Sequence, residues 1–278
     1  MTRAASDPQA RAGAVELLRR AFELGIRHFD TAHFYGDGRA IALLAGALGD
    51  RREEILLATK AGAVSTPDGP FPMALAQHPS DLRRSIEQNL ETLRTDRLDL
   101  VYLRRADQGP GLLSPEDQQV PLAAQLEVLS GLRAEGVIGG IGLSHVSLDQ
   151  LREALPAGIV AVQNIFNLAD QGDSDLLRLC EREGIAWVPY FPLGGGFGNL
   201  PRVVELPVVQ EIAEELGATA MQVGQAWLLA VSPRSVLISG TSSVHHLEQN
   251  LAAGDLQLTP AHMQRLEDGA RAAGGSGA

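Results

Sequence analysis

The 278 residues, 45% hydrophobic and 21% charged, suffice for one large core, while 34 acidic against 23 basic residues leave a net charge of −11. That balance argues against a nucleic-acid partner, since neutralising phosphates needs clustered cations. The single cysteine, Cys180, excludes an intramolecular disulfide and a thiolate metal cluster. No apolar run approaches the roughly 20 residues of a membrane span, and the N-terminus lacks an apolar signal segment, so a cytoplasmic protein with no membrane or metal partner is expected.

Taken in order, the chain alternates helical periods with short apolar runs. Residues 1–9 are polar and expected to be disordered, as is the small-residue tail 273–278. Val15, Leu18 and Phe22 recur at helical spacing across 10–24 and stop at Gly25, a C-terminal cap. The runs "IRHFDT" from Ile26 and "ILLATK" from Ile55 read as strands. Ser80 is placed to cap a helix carrying Leu82, Ile86, Leu90 and Leu93. Further strands are read in "LDLVYL" from Leu98, "VIGGIGLS" from Val137, "IVAVQN" from Ile159, "IAWVPY" from Ile185 and "SVLISG" from Ser235. Cys180 lies in the helical run "SDLLRLCEREG" and reads as a packed core thiol. Val209, Ile212 and Leu216 precede a stop at Gly217.

Near-continuous apolar strands separated by helices predict a parallel sheet covered on both faces. An open doubly wound sheet and a closed (β/α)8 barrel both satisfy the pattern. Length and the lack of an early Gly-x-Gly-x-x-Gly turn favour the barrel. So does the position of Asp30, Lys60, Arg104, Ser144, Gln163, Tyr190 and Gly240, each at or just past a strand's C-terminal end, where barrels gather their sites. A single domain spanning 1–278 is expected. Seven strands are read where eight are needed; the first barrel strand is expected to be missing.

The chemistry concentrates early. A tyrosine has a reference pKa of about 10. An adjacent ammonium stabilises the phenolate, and a carboxylate keeps that ammonium charged and oriented. Tyr35, Lys60 and Asp30 therefore form a sensible unit for giving a proton to a carbonyl oxygen. The stretch "LVYLRRAD" raises a separate question, because a buried strand there ends in two permanent cations, Arg104 and Arg105. His33 stands close enough in sequence to Tyr35 to touch a substrate. No histidine pair has a persuasive metal-ligand neighbourhood.

The segments "GIRHFDTAHFYG", "LATKAG", "IGLSHVS", "VQNIFN", "VPYFPLGGGF" and "ISGTSSVHHLEQNLAA" together resemble the aldo-keto reductase superfamily over about 14–266, closest to its bacterial pyridoxal-reducing branch. The resemblance implies an NADPH-dependent carbonyl reductase, NADH not being excluded, on a (β/α)8 barrel that here lacks the usual N-terminal hairpin. It implies Tyr35 as proton donor, Lys60 and Asp30 as its tuning pair, and Arg104 where a histidine is usual, with Arg105 at the usual arginine. Arg104 would then be a fixed cation and fork-shaped donor, not a proton shuttle. The cofactor positions it implies are Ser144, Gln163 and Tyr190 at the nicotinamide, with His145 in place of asparagine. Pro192, Leu193 and Gly194 would lie along the pyrophosphate, Gly240, Thr241 and Ser242 at the adenosine phosphate, and Glu248 and Asn250 at the adenosine end. A small carbonyl compound is the implied partner, with pyridoxal foremost and a secondary-metabolite or sugar ketone as the alternative. A regulator that holds NADP(H) but turns over little is the reading from a different class.

Overall fold

The structure is a computed structural model describing residues 8–69, 71–195 and 201–274. The expected disorder of 1–7 and 275–278, and the residues 196–197 of "FPLGGGF", lie outside the described residues. Expected disorder is corrected at four positions, since Pro8 and Gln9 open a helix and Ala273 and Gly274 close one. The chain divides into two compact units, residues 1–161 with 242–244 and residues 162–241 with 245–278.

The first unit opens on α1 (Pro8–Glu23), whose buried face is Ala14, Leu17 and Ala21. The expected stripe of Val15, Leu18 and Phe22 is thus displaced by one position, and those three are only half-buried. The helix packs against α2 (Arg39–Leu48), which buries Ile41, Leu43, Leu44, Ala47 and Leu48. Gly25 ends α1 as expected, taking a φ of +95° that glycine adopts without steric cost.

Parallel strands β1 (His28–Asp30), β2 (Leu56–Ala61), β5 (Leu98–Arg104) and β6 (Ile138–Ser144) pair in that order. The first residues of β7 (Ile159–Gln163) follow. Leu57 through Ala61 are all buried, as a strand covered on both faces requires. A small antiparallel hairpin, β3 (Ala63–Ser65) with β4 (Met73–Leu75), interrupts the β-α alternation and had no signal in the sequence pattern. Helix α3 (Pro79–Leu93) starts one residue before the expected cap: His78 is the N-cap, Pro79 occupies the first turn, and Ser80 lies inside the helix. Helices α4 (Leu122–Ala134) and α5 (Leu148–Ala154) complete this unit, α5 opening on a capping box between Ser147 and Gln150.

The second unit holds the end of β7, α6 (Ser174–Glu183), β8 (Ala186–Trp187), α7 (Pro207–Leu216), α8 (Ala220–Val231), α9 (Val244–Ala252) and α10 (Pro260–Gly274). Phe166 anchors its core, stacked on Trp227 at 5.9 Å and edge-on to Trp187 at 5.6 Å. Cys180 is buried in α6, where burial pushes its thiol up to about 12. The stop at Gly217 stands, with φ +62°.

The strand expected in "SVLISG" shrinks to one parallel bridge between Trp187 and Ser235. Trp187 N–H donates to the Arg234 carbonyl, and Val236 N–H donates to the Trp187 carbonyl. The next rung of that ladder would need an N–H at position 189, and Pro189 has none. Among the described residues no helix is long and apolar enough to cross a membrane.

Candidate active site

The first unit brings together Asp30, Tyr35, Lys60, Arg104 and Ser144. Lys60 is one residue short of the end of β2, and its Nζ donates to Asp30 Oδ1 at 2.5 Å and to the Thr31 carbonyl at 3.3 Å. Both side chains are withdrawn from solvent, at 4% and 8% exposure. Burial opposes the Lys60 charge more strongly than any other influence. Asp30, through charge and hydrogen bonding, and the phenol of Tyr35 together outweigh it, so the Lys60 pKa is raised. The ammonium lies 5.1 Å from the centre of the Tyr35 ring. Tyr35 itself is 37% exposed, held edge-on against Phe34 at 5.1 Å. A partly exposed tyrosine beside a buried, charge-paired ammonium is an arrangement suited to proton donation.

Strand register explains how Arg104 joins them. Lys60 pairs with Tyr102, and Arg104 pairs with Ser144. Side chains two apart on a strand share a face, so Tyr102 and Arg104 lie on the side that carries Lys60. The two arginines of "LRRAD" thereby separate. Arg104 is half-buried on the face that carries Lys60, whereas Arg105 turns away, 6% exposed, and forks onto Asp107 with contacts of 2.7 and 3.0 Å. Arg105 also donates to the Val120 carbonyl at 2.9 Å and to Gln125. Its role is to tie the loop after β5 to α4.

Two residues that sequence reasoning missed hold this corner. Gln77, 1% exposed, donates to the carbonyls of Gly62 at 2.6 Å and Arg104 at 2.9 Å, fixing the ends of β2 and β5 to each other. Gln125 in turn donates to Gln77. Neither belongs to a periodic pattern, so only the folded geometry reveals them. The strand ends approach so closely that a Cβ at Gly62 would lie 2.5 Å from the Arg104 carbonyl, at a φ of +105°. Gly62→Ala is expected to cost about 2 kcal/mol of stability, read as a lower denaturant midpoint at unchanged slope.

The remaining positions are distributed as follows. Ser144 ends β6 and is buried; His145 follows at φ +61°, its ring Nε2 lying 2.7 Å from the Gln108 carbonyl. Ser242 is exposed. In the second unit Gln163 ends β7 at 1% exposure, and Tyr190 is half-buried with its ring edge-on to Phe191. Pro192, Leu193 and Gly194 form a turn, with Gly194 at φ +72° and Leu193 accepting from Val203 N–H at 3.0 Å. Gly240 and Glu248 are exposed and Thr241 half-buried. Asn250 accepts from Gln225 Nε2 at 2.8 Å, which ties α9 to α8 whatever else it binds. His33 lies half-buried against Gly38, its carbonyl accepting from Gly38 N–H at 2.7 Å.

A family model described as the aldo/keto reductase family matches residues 2–270. The chain is 38% identical over 261 residues to pyridoxine 4-dehydrogenase of Escherichia coli K12, covering 94% of this chain and 87% of that one. It resembles a crystallised thermostable aldo-keto reductase, Tm1743, in complex with the inhibitor epalrestat: TM-score 0.78, 31% identity, 95% of this chain and 89% of that one. An aldo-keto reductase of Klebsiella pneumoniae in complex with NADPH gives a TM-score of 0.76 at 25% identity, covering 93% and 84%. These likenesses place the fold in the α/β class of aldo-keto reductases, the (β/α)8 type.

Proposed function

Because the chain belongs to the aldo/keto reductase family, we propose that this NAD(P)H-dependent oxidoreductase uses NADPH to reduce an aldehyde or ketone to an alcohol, pyridoxal to pyridoxine foremost. The observation that carries the reading is the buried Lys60–Asp30 contact of 2.5 Å beneath the exposed ring of Tyr35. The E. coli relative supports pyridoxal as substrate, and the NADPH-bound Klebsiella reductase supports the cofactor.

The residues present suit that cofactor. Ser144 and Gln163, each buried at a strand's end, have the donor and acceptor chemistry of a carboxamide partner, and the half-buried ring of Tyr190 offers a flat face. Gly240 and the hydroxyls of Thr241 and Ser242 suit a phosphate. When bound, NADPH supplies the hydride for the carbonyl carbon. Tyr35 then gives its proton to the carbonyl oxygen. Lys60 stabilises the phenolate left behind, and Asp30 keeps Lys60 charged. Arg104 polarises the carbonyl as a permanent cation and, lacking a dissociable proton near neutrality, takes no part in proton relay.

Oxidation of NADPH should accompany loss of pyridoxal and formation of pyridoxine in equal amounts. A panel of sugar and secondary-metabolite ketones, assayed alongside, should react more slowly. Tight NADPH binding with no turnover of any carbonyl would replace this reading with that of a nucleotide-holding regulator.

A further inference from the structure

Lys60 is the single lysine in the chain; every other one of its 23 basic residues is arginine. Its ammonium meets a second aromatic ring besides Tyr35. Tyr102, paired with Lys60 across β2 and β5, places the centre of its ring 5.8 Å from Nζ. Tyr102 is fully buried, and its hydroxyl makes no hydrogen bond among the described residues. A buried hydroxyl without a partner costs free energy, so the ring, not the hydroxyl, is what this position uses. The ring's seat is prepared from the other side. Tyr102 pairs with Gly142 on β6, where a Cβ would lie 2.5 Å from Cδ1 and 2.7 Å from Cε1 of the ring.

We infer that Tyr102 is a positioning residue for Lys60: the electron-rich face of its buried ring holds the ammonium in place beside Tyr35. The inference rests on the proposed reading of Lys60 as the group that stabilises the Tyr35 phenolate left by proton transfer. The other groups around the ammonium leave this role open. Asp30 on β1 supplies the counter-charge. His28, on the same face of β1, has its pKa lowered by burial first and further by Lys60, with Asp30 opposing, and so is no rival cation at neutral pH. Arg104 lies two residues beyond Tyr102 on the shared face of β5. Burial, with Asp30 adding to it, drives the Tyr102 phenol well above the usual tyrosine range, so it does not compete with Tyr35 as proton donor.

The lone lysine makes the test direct. Protein grown on lysine carrying an NMR-active isotope at its side-chain nitrogen gives one resonance, that of Lys60. Tyr102→Phe keeps the ring face, whereas pentafluorophenylalanine at position 102 keeps its shape and reverses its charge distribution. Tyr102→Phe should leave the alkaline titration of that resonance within a few tenths of a pH unit of the parent. The fluorinated ring should move it down by about one unit. The fluorinated protein should also lose roughly tenfold in kcat for carbonyl reduction relative to Tyr102→Phe, with KM for NADPH unchanged. Equal titrations with the two rings would overturn the inference, as would a shift in Tyr102→Phe as large as that in the fluorinated protein. Since the resonance is read without turnover, a protein inactive toward every carbonyl would defeat the proposed reaction and leave the Tyr102 result standing by itself.

Discussion

Tyr35→Phe is expected to lower kcat for pyridoxal reduction by about a thousandfold, within the range that a positioned general acid contributes. The substitution removes one oxygen from a side chain that is 37% exposed and held by its ring against Phe34, so the fold should be untouched. NADPH affinity, followed by quenching of the protein's tryptophan emission, should stay within about twofold, because the change removes only the transferable proton. That pattern, lost kcat with preserved binding, separates a proton donor from a residue that shapes the site. A variant retaining more than about a tenth of the parent rate would show that the proton comes from elsewhere.

The same residue shows what could be read without coordinates. The β-α alternation places Asp30, Lys60, Arg104 and Ser144 at strand ends, and β1, β2, β5 and β6, which carry them, pair parallel as that alternation requires. What pattern could not supply was register. Nothing in "LDLVYL" says that Tyr102, not Val101 or Leu103, shares a face with Lys60 until β2 and β5 are aligned. Gln77 is a loop residue with no period, yet its amide clasps two strand ends. The stripe read from Val15, Leu18 and Phe22 favours large side chains, whereas the helix buries Ala14, Leu17 and Ala21, two of them alanines that a pattern of large apolar residues passes over. "SVLISG" has the composition of a strand, and the reason it does not extend lies 46 residues earlier, in the missing N–H of Pro189. Composition carries one further signal: a chain whose basic residues are otherwise all arginine has its one lysine at position 60.

That lysine gives the second large effect, on stability and catalysis together. Lys60→Met should destabilise the protein by about 3–5 kcal/mol, the cost of leaving a buried carboxylate without its partner, seen as a fall in Tm on the order of 10 °C. The double variant Asp30→Asn/Lys60→Met buries no charge and should recover most of that loss. Activity should not return in the double variant, since no ammonium remains to stabilise the phenolate that proton transfer leaves at Tyr35. Alkaline pH offers an independent reading. The folded pKa of Lys60 is raised, so its contribution to stability is complete below the free-lysine value of about 10.4 and disappears as pH climbs through the higher folded value. Buried Tyr102 acts in the same direction, so the informative quantity is the difference between proteins. The gap in stability between parent and double variant should narrow as pH rises above about 10. A gap that stays constant there, or a double variant no more stable than Lys60→Met, would mean that Asp30 and Lys60 are not the coupled pair on which the chemistry of Tyr35 depends.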